Sequence, residues 1–150
     1  MKKTIKTLLL STIFLAFSAQ AKEQTIELED NSSLLHKWKI LAESPSLRKQ
    51  GTEVNISWEF KKNGTLLTKA TDSRARTGAM TITVKYSVED GVIKKQLKPS
   101  SDKTESCKVV EPQGEYLKIQ KRSGTKSKIK IEDKHMILHC KYLYYYLEKQ

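Results

Sequence analysis

The sequence predicts an all-β domain, an antiparallel up-and-down barrel of about eight or nine strands entered through a short helical turn. Two observations carry this expectation. Apolar and polar residues alternate with period two through several segments, and glycines at 51, 64, 78, 91, 114 and 124 punctuate them, mostly 10 to 14 residues apart. That spacing suits short strands joined by turns. The length of 150 residues, with 37% apolar and 30% charged residues, is one domain's worth. It excludes collagen, low-complexity repeats and a multi-span membrane protein.

Residues 1–21 read as a secretory signal peptide. Lys2, Lys3 and Lys6 form a basic start, Leu8 to Phe17 is almost wholly apolar, and Ala19 and Ala21 give a small-x-small pattern. Cleavage is expected after Ala21, with the mature chain in the periplasm or secreted. The apolar run is too short to span a bilayer, so no membrane span is expected. Removing the three lysines lowers the net charge from +11 to +8. Residues 22–32 are polar and acidic and read as a flexible lead-in, leaving 33–150 as the barrel domain.

Ser33 to His36 is expected to make the helical turn. Strands are then expected at 37–43, 53–62, 65–71, 79–89, 92–98, 104–111, 115–121, 126–132 and 135–147. The pattern is clearest where Val54, Ile56, Trp58 and Phe60 alternate with Asn55, Ser57 and Glu59. Met80, Ile82, Val84, Tyr86 and Val88 repeat it. Asn63-Gly64, Asp90-Gly91 and Ser123-Gly124 mark hairpin turns, because these residues tolerate positive φ. Closing the meander into a barrel removes the edges along which sheets aggregate.

Cys107 and Cys140, an even count in an oxidising compartment, favour one disulfide, with two buried free thiols as the alternative. His135 and His139 share a face beside Cys140, but two imidazoles without a second clustered pair are no zinc signature, so no metal is expected. Lys118, Lys121, Arg122, Lys126, Lys128, Lys130 and Lys134 form the densest basic stretch. Its lysines could attract an anionic envelope component, or could protect an outer strand face from aggregation. Lysine predominates over arginine, so no specific nucleic-acid partner is expected.

The runs LLHKWKI (Leu34 to Ile40), WEFKKNGTLL (Trp58 to Leu67) and VKYSVEDGVI (Val84 to Ile93) resemble those of bacterial lipocalin-like domains. YLKI (Tyr116 to Ile119) and LYYYLEK (Leu143 to Lys149) are similar to the closing strands of that family. His36 stands where the G-x-W motif of classical lipocalins has Gly, so the looser bacterial relatives are the nearer resemblance. The resemblance spans about residues 33–149. It implies a monomeric barrel holding a small hydrophobic or amphipathic ligand, without a cofactor.

Trp38, Trp58, Phe60, Tyr86 and Tyr116 are the expected lining residues. Arg74 or Arg76, in the connection TDSRARTG, would stand at the mouth and could clamp a carboxylate or phosphate. Tyr142, Tyr144 and Tyr146 are expected on one face of the last strand and Leu143, Tyr145 and Leu147 on the other. No nucleophile elbow, H-E-x-x-H or phosphate loop occurs, so no catalytic residue is expected and the chain reads as a non-enzyme. The alternative is an interaction or inhibitor protein with a filled barrel, acting through its basic outer face.

Overall fold

The computed structural model describes residues 23–47, 49–71 and 79–150. The predicted signal peptide lies outside them. Among the described residues, eleven strands and one 3-10 turn follow in chain order. A two-residue strand β1 (Thr25–Ile26) precedes the turn at Ser32–Leu34, then come β2 (Lys37–Ser44), β3 (Gly51–Phe60), β4 (Thr65–Thr71) and β5 (Ala79–Glu89). β6 (Val92–Gln96), β7 (Thr104–Val110), β8 (Tyr116–Gln120), β9 (Lys126–Lys130), β10 (His135–Cys140) and β11 (Leu143–Lys149) complete the chain. Among the described residues no helix is long and apolar enough to cross a membrane.

Eight strands close into a barrel. Each pairs antiparallel with its neighbours in the order β2, β3, β4, β5, β6, β7, β10, β11, and β11 returns to β2. The barrel is therefore an up-and-down meander interrupted once, between β7 and β10, by the hairpin β8–β9. That hairpin lies outside the barrel and is anchored to β3 by a short parallel pairing, Gly51 with Ile119 and Thr52 with Gln120. The expected barrel of about eight or nine strands thus has eight, and the strands expected at 115–121 and 126–132 stand outside the meander. Local alternation makes β8 and β9 strands but does not say which sheet they join.

Two further corrections concern the ends of the chain. The strand expected over 135–147 is a hairpin, turning at Lys141 and Tyr142, where Lys141 adopts φ 57°. Lys-Tyr is not turn chemistry, so the local sequence conceals the break. The lead-in is tied down as well. Thr25 and Ile26 pair with Val110 and Val109, and the Glu111 amide donates to the Gln24 carbonyl at 2.8 Å.

The turns follow their residues. Asp90 and Gly91 both take positive φ, as a two-residue hairpin that matches strand twist requires. Asn63-Gly64 sits in a three-residue loop instead, with Gly64 left-handed and the Lys61 amide donating to the Thr65 carbonyl at 2.8 Å.

Alternation divides the buried residues into two cores. The lumen holds Leu34, Trp38, Ile40, Trp58, Phe60, Leu66, Val84, Tyr86, Ile93, Leu138 and Leu147 with the disulfide. The second core lies between the outer barrel wall and the hairpin, where Leu117 and Ile119 meet Ala42, Val110, Ile137 and Tyr146. On β2 and β11 the register shifts between Ile40 and Ala42 and between Tyr146 and Leu147. This irregularity lets one strand serve the lumen at one end and the outer core at the other.

Candidate functional site

The two ends of the barrel differ. At one end the 3-10 turn folds under the lumen, and Leu34 is wholly buried there with its carbonyl accepting from Trp38 Nε1 at 3.1 Å. Tyr86 donates to the Lys61 carbonyl at 2.8 Å and accepts from Asn31 Nδ2 at 3.1 Å. The Leu28 amide donates to the Gly91 carbonyl at 3.0 Å. These contacts tie residues 28–34 across the β3–β4 and β5–β6 turns and close that end.

At the other end the inward-facing rows stay partly open. Trp58, Phe60, Leu66 and Val84 are buried, but farther along the same faces Val54, Ile56 and Ile82 are only partly so. Met80, paired with Ala70 in the same phase, is 58% exposed. Burial of the inward-facing apolar side chains therefore falls off toward this end. Thr71 ends and Ala79 begins at this rim. The connection between them, with Arg74 and Arg76, lies outside the described residues.

Between the closed and open halves sits a charged group inside the barrel. Lys95 and Glu105 pair directly across β6 and β7, two residues beyond the buried Ile93 and Cys107 on the same faces. Their side chains are only 15% and 17% exposed, and Nζ lies 2.7 Å from Oε2. The Lys95 ammonium also stands 5.9 Å from the centre of the Trp58 ring. Strands β3 and β6 are separated by two others, so this contact crosses the lumen. A cation over an indole face is favourable, more so when sheltered from water.

Trp58 packs on Tyr145 at 5.1 Å and edge-on to Phe60 at 6.2 Å, and Phe60 meets Tyr86 at 5.0 Å. An aromatic column therefore runs from the closed end to the charged group. Burial, reinforced by the negative charge of Glu43 and Glu105, pushes the Tyr145 phenol up to about 12. Burial also raises the Glu43 carboxyl. The floor of the open half thus offers one ammonium, two carboxylates and a neutral phenol above an indole, within apolar walls. Such a site can orient a polar head while the walls hold an apolar body.

Of the residues expected to line a ligand, Trp38, Phe60 and Tyr86 belong to the packed closed half. Trp58 alone reaches the open half. Tyr116 is corrected: it lies on β8 outside the barrel, 46% exposed, because β8 leaves the meander. Cys107 and Cys140 face each other across β7 and β10 and form the disulfide, with Cα atoms 4.2 Å apart. Sequence reasoning missed Lys95, Glu105 and Glu43. The signal was phase, since Lys95 follows Ile93, and Glu105 precedes Cys107, by two positions.

His135 and His139 each engage a carboxylate of their own on the outer face. His135 Nε2 is 3.2 Å from Glu148, and His139 Nδ1 is 2.7 Å from Glu23. Among the described residues no group of three or more such side chains could hold a metal. Tyr144 stacks on His139 and donates to Glu23 at 2.8 Å. Burial, then this bond and the charge of Glu23, push its phenol up to about 12.

Tyr144 and Tyr145 hold their protons more tightly folded than unfolded, where the ordinary value is 10. Their stabilising effect is complete below pH 10 and is lost as pH rises through about 12. Alkaline unfolding within that window is the expected result. Difference absorbance at 295 nm against Tyr144→Phe and Tyr145→Phe checks it. Phenolate absorbance from either residue near pH 10 in the folded protein would contradict it.

The fold and site together define a closed eight-stranded antiparallel barrel with a polar group set inside an apolar lumen. Comparison with family models, curated proteins and solved structures finds no match.

Proposed function

We propose that the protein is an exported, lipocalin-like, non-enzymatic binding protein that takes a small amphipathic ligand into the open half of its barrel. One observation carries this reading. The inward-facing Val54, Ile56, Ile82 and Met80 remain accessible above a sheltered Lys95–Glu105 pair, whereas the opposite half of the lumen is packed shut. The ligand's apolar body would lie against these side chains, with its polar head at Lys95, Glu105 and Tyr145.

Trp58 lies at the floor of this site, so intrinsic fluorescence reports on it. Titration with dodecanol, dodecanoate and dodecylamine is expected to give a saturable change for at least one of them. The variant Ile82→Trp, which fills the mouth, should weaken that ligand at least about tenfold. Absence of saturable binding by all three, or unchanged affinity in Ile82→Trp, would refute the reading.

A second reading has its own observation. On the outward face of the β8–β9 hairpin, Lys118 stands opposite Lys128 and Tyr116 opposite Lys130, with no acidic residue between them. Directly opposed like charges destabilise a hairpin, and a polyanionic envelope component would relieve them. Salt-sensitive retention on isolated envelopes that is lost in Lys128→Glu/Lys130→Glu, but kept in Ile82→Trp, would favour this reading.

A further inference from the structure

β9 pairs with β8 and, among the described residues, with no other strand. The bonding phase of the hairpin decides which backbone groups are left over. At the turn the Lys121 amide donates to the Thr125 carbonyl, and at the far end the Ile131 amide donates to the Glu115 carbonyl. Bonded and non-bonded pairs alternate in an antiparallel ladder, so between these two ends Ser127 and Ile129 bond to Ile119 and Leu117. The N–H and C=O groups of Lys126, Lys128 and Lys130 therefore point away from β8, toward the open edge. The same three lysines are exposed, whereas Ser127 and Ile129 are half-buried.

We infer that the edge of β9 is a docking site for an extended acidic segment of another protein, which adds to it as an antiparallel strand. The residues of that strand opposite Lys126, Lys128 and Lys130 would exchange backbone bonds with them, and directly opposed residues share a face. Acidic side chains at alternate positions then stand against the three ammonium groups, while the backbone bonds supply affinity. The intervening residues face the side of Ile129 and Ile131, which pack only partly against the outer core. Ile131 also lines an open cleft of about 520 Å3 with Ile26 and Pro112, and Ile26 is 41% exposed. Glu111 and Glu115 line the same cleft, so the acidic run ends there and an apolar residue precedes it.

Edge lysines also guard a sheet against pairing with its own kind. Both effects have one cause. A second β9 would set lysine against lysine, like charges directly opposed, whereas an acidic strand replaces that repulsion by attraction. An anionic surface would need only the exposed ammonium groups. Strand addition uses the edge amides as well, and it is independent of any ligand in the lumen.

The experiment is NMR titration and amide hydrogen exchange of the mature protein with the peptide Ac-IEIETE-NH2. Its comparisons are the same peptide N-methylated at each glutamate, the basic counterpart Ac-IKIKTK-NH2, and polyphosphate. Saturable binding of the acidic peptide is expected, with exchange at Lys126, Lys128 and Lys130 slowed at least about tenfold and that at Ser127 and Ile129 unchanged. N-methylation and the double variant Lys126→Glu/Lys128→Glu should each weaken the acidic peptide at least about tenfold. The variant, checked for folding by circular dichroism, should bind the basic peptide instead. Five outcomes would overturn the inference: no binding of the acidic peptide up to about 10 mM, undiminished binding of its N-methylated form, equal slowing of the edge amides by polyphosphate, failure of the folded variant to gain the basic peptide, or a dimer of the free protein that protects those amides by itself.

Discussion

Replacing Cys107 and Cys140 together by alanine is expected to lower stability by about 4 kcal/mol. The two cysteines face each other across β7 and β10, and 33 positions of sequence separate them. The closed loop contains the whole β8–β9 hairpin, so the bond fixes the one place where the meander is interrupted. Closing a loop of that length removes conformational freedom from the unfolded chain, which is the model behind the magnitude. Loss of the buried sulfur atoms adds a smaller packing cost. Thermal unfolding followed by circular dichroism should show a fall on the order of 10 °C. A reductant should reproduce it in the unmodified protein. An unchanged melting temperature in both experiments would contradict the assigned staple.

Leu34→Ala is expected to cost about 2–5 kcal/mol, the range for a wholly buried leucine whose cavity does not collapse. Leu34 closes the lumen from a three-residue turn and is 0% exposed. Its neighbours Trp38, Tyr86 and Ile93 sit on barrel strands that cannot move inward without breaking their pairing, so the cavity should persist. The backbone partner is retained, because Trp38 bonds the Leu34 carbonyl and not its side chain. Denaturant unfolding should shift its midpoint with an unchanged slope. A loss below about 0.5 kcal/mol would place Leu34 outside the packed core.

The architecture was legible in the sequence wherever alternation was long and its turns had turn chemistry. β3 and β5 read directly because four or five apolar residues recur at period two, and Asp90-Gly91 has the φ values its residues permit. What failed was non-local. Nothing in KSKIK states that β9 pairs only with β8, since a strand's alternation specifies a buried face without identifying what covers it. Lys141 and Tyr142 hid the last turn because the tyrosine and leucine pattern continues through them. The candidate site was partly legible. Trp38, Trp58, Phe60 and Tyr86 are buried in the lumen core, but which end they fill depends on the 3-10 turn packing beneath them. Lys95 and Glu105 were in phase with buried neighbours. Lysine and glutamate on a short strand read as surface until the register sets them opposite each other within the lumen.

Ligand entry into the lumen requires one packed and one open half of the barrel. The most direct test is paramagnetic broadening of methyl resonances by a dodecyl amphiphile carrying a nitroxide at the end of its chain. Selective broadening of Val54, Ile56, Met80 and Ile82 is expected, with Leu34, Leu66 and Ile93 unaffected. Broadening confined to Leu117, Ile129 and Ile131 of the outer core, or none at all, would contradict ligand entry through the open end.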